Sequence, residues 1–95
     1  MFSERIKELR IQNQIPQRQL AAALNIDTAT YSKIEKGERK ARKEQISILS
    51  KLLHVNTEHL LTLWLADQVS AVVSNDQKIA SKALLLVVET LKKDI

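Results

Sequence analysis

Ninety-five residues make one small domain with room for an appendage but not for a second core. The absence of cysteine excludes disulfides and thiolate metal sites, and His54 and His59 have no Asp, Cys or second His at ligand spacing. The net charge of +4 is unevenly held: residues 1–56 carry eleven Lys/Arg against six Asp/Glu, residues 57–95 four against five. A basic first half is the footprint of a polyanion such as double-stranded DNA, the plain alternative being a solvated basic face. One Gly, one Pro and abundant Ala, Leu, Ile, Lys and Gln favour an all-α chain. No apolar run spans a bilayer and no signal pattern opens the chain, so a cytoplasmic setting with no membrane partner is expected.

The first helix is expected from Ser3, as its cap, to Gln12, with Phe2, Ile6 and Leu9 on its inner face. Asn13 is expected as its left-handed stop. Pro16 holds Ile15 extended and opens a second helix at Gln17, where Leu20, Ala21 and Leu24 share a face. Asn25 breaks that pattern, because Asn best tolerates, among non-glycine residues, the left-handed backbone that turns a chain. Ile26 plugs the corner, and Asp27 caps a third helix from Thr28 to Lys36, stopped by Gly37. Two short helices across a tight corner form a helix-turn-helix, whose second helix enters the DNA major groove.

That recognition helix divides by its spacing of about 100° per residue. Tyr31 and Ile34 face the core. Thr28 sits at the tip, and Ala29, Ser32, Lys33 and Lys36 lie outside. Thr28, Ala29, Ser32 and Lys33 are the candidate base contacts. Lys33 can donate to guanine O6 and N7, and Ala29 and the Thr28 methyl can pack on a thymine methyl. For Ala29, steric clearance in the groove is an equal alternative.

A fourth helix is expected over Arg42–Leu53, with Ile46, Leu49 and Leu53 inward, ending at His54. Asn56 caps a fifth, which runs to Val73 and carries more apolar surface than one face needs. Its Trp64 has two readings, closure of the core or anchor of a dimer interface. Ser74-Asn75-Asp76 turns the chain into a sixth helix, Gln77–Lys92, containing the apolar run Ala83–Val88. An apolar surface all round needs a second cover, and the same helix of another copy is the simplest. Trp64, Leu84, Leu85, Leu86 and Val88 are therefore the candidate dimerisation residues. Residues 1–73 form the helix-turn-helix domain and residues 74–95 the added dimerisation helix.

Gln17, Leu20-Ala21, Asn25-Ile26, Ile34-Glu35 and Gly37, in this order and register, resemble the phage-repressor (Cro/C1, or XRE) class of helix-turn-helix regulators. The resemblance covers roughly residues 3–65. It implies a five-helix fold, a structural ion pair between Arg10 and Glu35, and a phosphate contact for Gln17. It also implies that the loop after the recognition helix lies along the DNA backbone. The candidate phosphate contacts are thus Gln17, Lys36, Arg39, Lys40, Arg42 and Lys43. Two positions depart from the pattern: Pro16 stands where the family has a Thr or Ser cap, and Ala41 where it often has proline. Nothing transfers to the sixth helix.

The expected function is a homodimeric, sequence-specific transcription regulator on an inverted-repeat operator. By analogy it resembles a restriction-modification controller or a compact phage-type repressor. The alternative is an antitoxin whose last helices cover a toxin. No nucleophile-base pair, Gly-rich phosphate loop or metal cluster points to an enzyme, a cofactor or a metal, and no small-molecule effector is indicated.

Overall fold

The computed structural model describes residues 1–94, which hold six helices and no strand. They are α1 (Phe2–Gln12), α2 (Gln17–Ala23), α3 (Thr28–Glu35), α4 (Lys43–Leu52), α5 (Thr57–Val73) and α6 (Gln77–Lys93). The all-α fold expected from composition is the one found.

One core serves the first five helices. Ile6, Leu20, Tyr31, Ile46, Leu49, Leu53 and Leu60 are almost wholly excluded from solvent, with Phe2, Leu9, Ala21, Leu24, Ile34 and Ala41 around them. The apolar positions picked from periodicity in α1 to α4 are those that are buried.

Four helices end the same way. At the ends of α1, α2, α3 and α4 the residue past the cap is left-handed: Gln14 (φ 55°), Asn25 (φ 62°), Gly37 (φ 77°) and His54 (φ 55°). Each end closes with a paired return bond, such as Ile26 N–H to Ala21 C=O at 3.0 Å with Asn25 N–H to Ala22 C=O at 3.1 Å. Ile15, Ile26 and Val55, the next residues at three of these ends, pack against the core, which completes the motif. Asn25 and Gly37 thus do what their residue types foretell. Asn13 does not: it stays at φ −88° while its amide donates to the Leu9 carbonyl (2.7 Å), and Gln14 takes the left-handed turn.

Two further boundaries differ from expectation. Ser3 lies inside α1, which begins at Phe2; the Phe2 N–H is satisfied instead by the Asp67 carboxylate on α5, at 2.9 Å. The recognition helix α3 ends at Glu35, with Lys36 as its cap.

α5 has two faces. Leu60, Leu63, Trp64 and Asp67 turn towards the core and α1, while Leu65, Val69 and Val72 on the far side are exposed. α6 contributes nothing to the core and buries no residue. It stands off the body, so the radius of gyration is 15.4 Å where a compact chain of this length has about 12 Å. Its surface also corrects the expectation of an all-round apolar helix. At helical spacing, Ile79, Ala80, Ala83, Leu84, Val87, Val88 and Leu91 fall on one half, and Lys78, Lys82, Glu89 and Lys92 on the other.

Candidate nucleic-acid interface

The corner between α2 and α3 is set by three local events. Leu20, Ala21 and Leu24 anchor α2 in the core, Asn25 supplies the left-handed turn, and the Asp27 carboxylate accepts from the Thr30 N–H at 2.7 Å. Hydrogen bonding to Thr30, helped by Lys33 and Arg39 nearby, holds that carboxyl below the usual aspartate range. α3 then buries Tyr31, Ile34 and Glu35 and turns the rest of its surface outward. Thr28, Ala29, Lys33 and the capping Lys36 are exposed and Ser32 is half-buried. This short, small, then basic face is left open by the described residues of its own chain.

α3 is tied from beneath. Arg10 on α1 grips Glu35 with two bonds, Nε to Oε2 at 2.7 Å and Nη2 to Oε1 at 3.2 Å. Its remaining nitrogen donates to the Ile15 carbonyl at 3.1 Å, so one guanidinium holds α1, the α1–α2 turn and α3 together. Glu35 is 2% exposed in its side chain and Arg10 15%, so the pair is well shielded from water. The bond to Glu35 pushes the Arg10 guanidinium further up. Gln17 joins the same group, its Nε2 donating to Glu35 Oε1 at 3.3 Å. The structure therefore brings Arg10 and Glu35 together and places the Gln17 amide on a carboxylate. Pro16 opens α2 with no side-chain cap. Tyr31 sits beside this cluster with a fully buried hydroxyl that has no partner among the described residues. Burial first, and then the neighbouring Glu35 carboxylate, through hydrogen-bonding proximity and its charge, drive its pKa far above the ordinary phenol value, so it stays protonated.

The loop from Lys36 to Arg42 carries the cations and is shaped by α5. The Trp64 indole N–H donates to the Ala41 carbonyl at 2.7 Å, and Ala41 is itself buried. This bond holds the loop where the resembled pattern often has a proline. It also places Trp64: the half-buried indole spends its donor inside its own subunit and packs on the core. Lys40 is redirected. Its Nζ donates to Gln68 Oε1 at 2.6 Å and sits 5.3 Å from the centre of the Trp64 ring, which turns the ammonium towards α5. Lys40 is nonetheless exposed, as are Lys36, Arg39, Arg42 and Lys43 on the loop and the start of α4. Gln68 escapes sequence reasoning, since a lone glutamine on a helix carries no signal. Arg18, exposed in the first turn of α2 beside Gln17, does too.

The remaining candidates lie on α6. Leu84 is half-buried and closes one side of a groove whose other wall is Thr62, Leu65, Ala66, Val69, Ser70 and Val73 of α5. Leu86 and Val88 are exposed at the edges of the apolar half, whereas Leu85 falls among Lys78, Lys82, Glu89 and Lys92. Val87 and Leu91 are exposed at the middle of the stripe. The spacing of four, three and four in Ala80, Leu84, Val87 and Leu91 is the available signal, hidden by the continuous apolar run.

Among the described residues no helix is long and apolar enough to cross a membrane, and no cluster of His, Asp or Glu could hold a metal. A family model described as helix-turn-helix (HTH_3) matches residues 6–60, from within α1 to the first turn of α5. No curated protein and no solved structure matches the chain.

Proposed function

Because the chain belongs to the Cro/C1-type (XRE) helix-turn-helix family of DNA-binding transcription regulators, we propose that it acts as a non-catalytic, cytoplasmic homodimer on an inverted-repeat operator. The observation that carries this reading is the outward face of α3, unobstructed and framed by Lys36, Arg39, Arg42 and Lys43. Thr28, Ala29, Ser32 and Lys33 are the side chains proposed to meet base edges. Gln17 and the loop cations are proposed to meet phosphates, which position the protein without reading sequence. For Gln17 this means exchanging Glu35 for a phosphate oxygen beside the first amides of α2. Lys40 is left out of that set, since its ammonium is held on α5. Two copies related by a two-fold axis would set their recognition helices roughly 34 Å apart, one turn of the duplex.

Control of its own promoter, as in restriction-modification controllers or compact phage repressors, is the role proposed for such a dimer. Footprinting on the DNA upstream of its own gene tests it. Protection of two symmetric half-sites is expected, and no mobility shift at low ionic strength would overturn the reading. The unpacked α6 favours one other role, an antitoxin that covers a toxin with this helix. Light scattering on the protein purified alone separates the two: a dimer supports the regulator, a monomer with residues 77–93 unfolded supports the antitoxin.

A further inference from the structure

We infer that a second copy of this chain fills the wedge between α5 and α6, the α6 of each subunit lying in the α5–α6 groove of the other. The inference rests on the homodimer reading and assigns it a surface.

The first support is the bareness of α6. A 17-residue helix with no buried side chain is marginal in water, because helices of this length owe their order to packing. Its stripe of Ala80, Leu84, Val87 and Leu91 has the four-three spacing of a helix-packing seam. Only Ala80 and Leu84 are half-buried, Leu84 against α5; Val87 and Leu91 remain 53% and 57% exposed.

The second is the far face of α5. Leu65, Val69 and Val72 are exposed on a helix whose opposite side already closes the core. The groove between the two helices is lined by Thr62, Leu65, Ala66, Val69, Ser70, Val73 and Leu84, and none of these side chains is charged.

The third is area. The chain exposes 6920 Å², and a compact monomer of 10.8 kDa exposes roughly 5,500 Å², an excess of roughly 1,400 Å². Obligate dimers cover about 1,000–2,500 Å² on each copy, so the excess is what one such interface would remove.

A second copy, and not an unrelated protein, suits this surface for a geometric reason. Groove and ridge sit on the same chain, so a two-fold axis lets each subunit supply both, and the interface closes without leaving an open end. Residues 57–95 are nearly neutral, so two copies meet there without the repulsion the basic half would impose. The charged side of α6 stays in water.

Light scattering and a mobility shift on the full protein test the inference together. Wild type is expected at twice 10.8 kDa. Val69→Glu on α5, and Val87→Glu with Leu91→Glu on α6, should each halve that mass. Leu85→Glu, on the charged side, should leave it unchanged. Val69 sits on a helix anchored by Leu60 and Trp64, so near-ultraviolet dichroism of Trp64 reports that the core survives in that variant. The dissociated variants should keep their affinity for a single half-site and lose about 10²-fold or more on the paired site. A monomeric wild type, a silent Val69→Glu, or a Leu85→Glu as damaging as the α6 double variant would overturn the assignment. A dimer that shifts no DNA would sink the regulator and leave the interface standing; a monomer that shifts promoter DNA would do the reverse.

Discussion

Trp64 and Ala41 are joined by one bond, indole N–H to carbonyl at 2.7 Å, across 23 residues of sequence. It couples α5, a scaffold helix, to the loop that carries Arg39 and Arg42. Trp64→Phe keeps most of the ring and removes the donor. The buried Ala41 carbonyl is then left unpaired, at a cost of about 1–3 kcal/mol in stability. If the loop cations touch phosphate, the slope of log affinity against log salt should also fall, by roughly 0.9 for each phosphate that is no longer neutralised. An unchanged slope would confine Trp64 to stability. Lys40→Ala is the companion measurement: with its ammonium on Gln68, it should leave the slope nearly as it was.

Lys33 is exposed on the outer face of α3 and is proposed to read a base. Lys33→Ala should therefore cost about 1–3 kcal/mol at one or two operator positions, scored by competition against substituted operators. The same loss on random DNA would reduce Lys33 to a phosphate-binding role.

Removing one partner of the Arg10–Glu35 pair strands the other. Arg10→Met leaves a carboxylate 2% exposed without its cation and should cost about 3–5 kcal/mol in urea denaturation. Arg10→Met with Glu35→Leu should recover much of that loss, since an apolar replacement of a buried pair is often close to neutral. A double variant no better than Arg10→Met alone would show that Arg10 acts mainly through Ile15, whose carbonyl it also holds.

Tyr31 buries a hydroxyl with no partner among the described residues, an arrangement that costs stability. Glu35 lies close enough to lift the phenol pKa but outside good hydrogen-bond geometry, so Tyr31→Phe should leave the fold intact and raise thermal stability by no more than about 1 kcal/mol. A clear destabilisation would reveal a bridging group between that hydroxyl and Glu35.

Asp27 sets a pH dependence. Its carboxyl is held below the usual value in the folded chain, so its contribution is fully present above the ordinary aspartate pKa of about 3.9. The contribution is lost as pH falls through the lowered value. Thermal melts from pH 6 downward should show a loss in wild type that is smaller in Asp27→Ala, which is already less stable at neutral pH. Parallel curves would remove the cap from the account.

What the chain announces about itself is short-range chemistry. Periodicity marks Ile6, Leu20, Ile46 and Leu49, and residue type marks Asn25, Asp27 and Gly37, because each acts through its own turn of chain. What it conceals has the opposite cause. Gln14 and His54 are left-handed where Ile15 and Val55, one residue on, reach the core; glutamine gives no sign of that conformation and histidine only a weak one. Lys40 and Trp64 elude a reading by residue type because their partners lie on elements distant in sequence. On α6, six apolar residues in succession hide a stripe that their angles around the helix make plain.

The knot beneath α3 has a kinetic consequence. With Arg10 and Glu35 already bonded to each other, α3 is held at one angle before it meets a duplex. The freedom it would otherwise lose on docking is given up during folding, so little ordering remains to slow association. Arrival should then be governed by diffusion and by the field of the basic half, and discrimination among sites by how quickly the protein leaves the wrong ones.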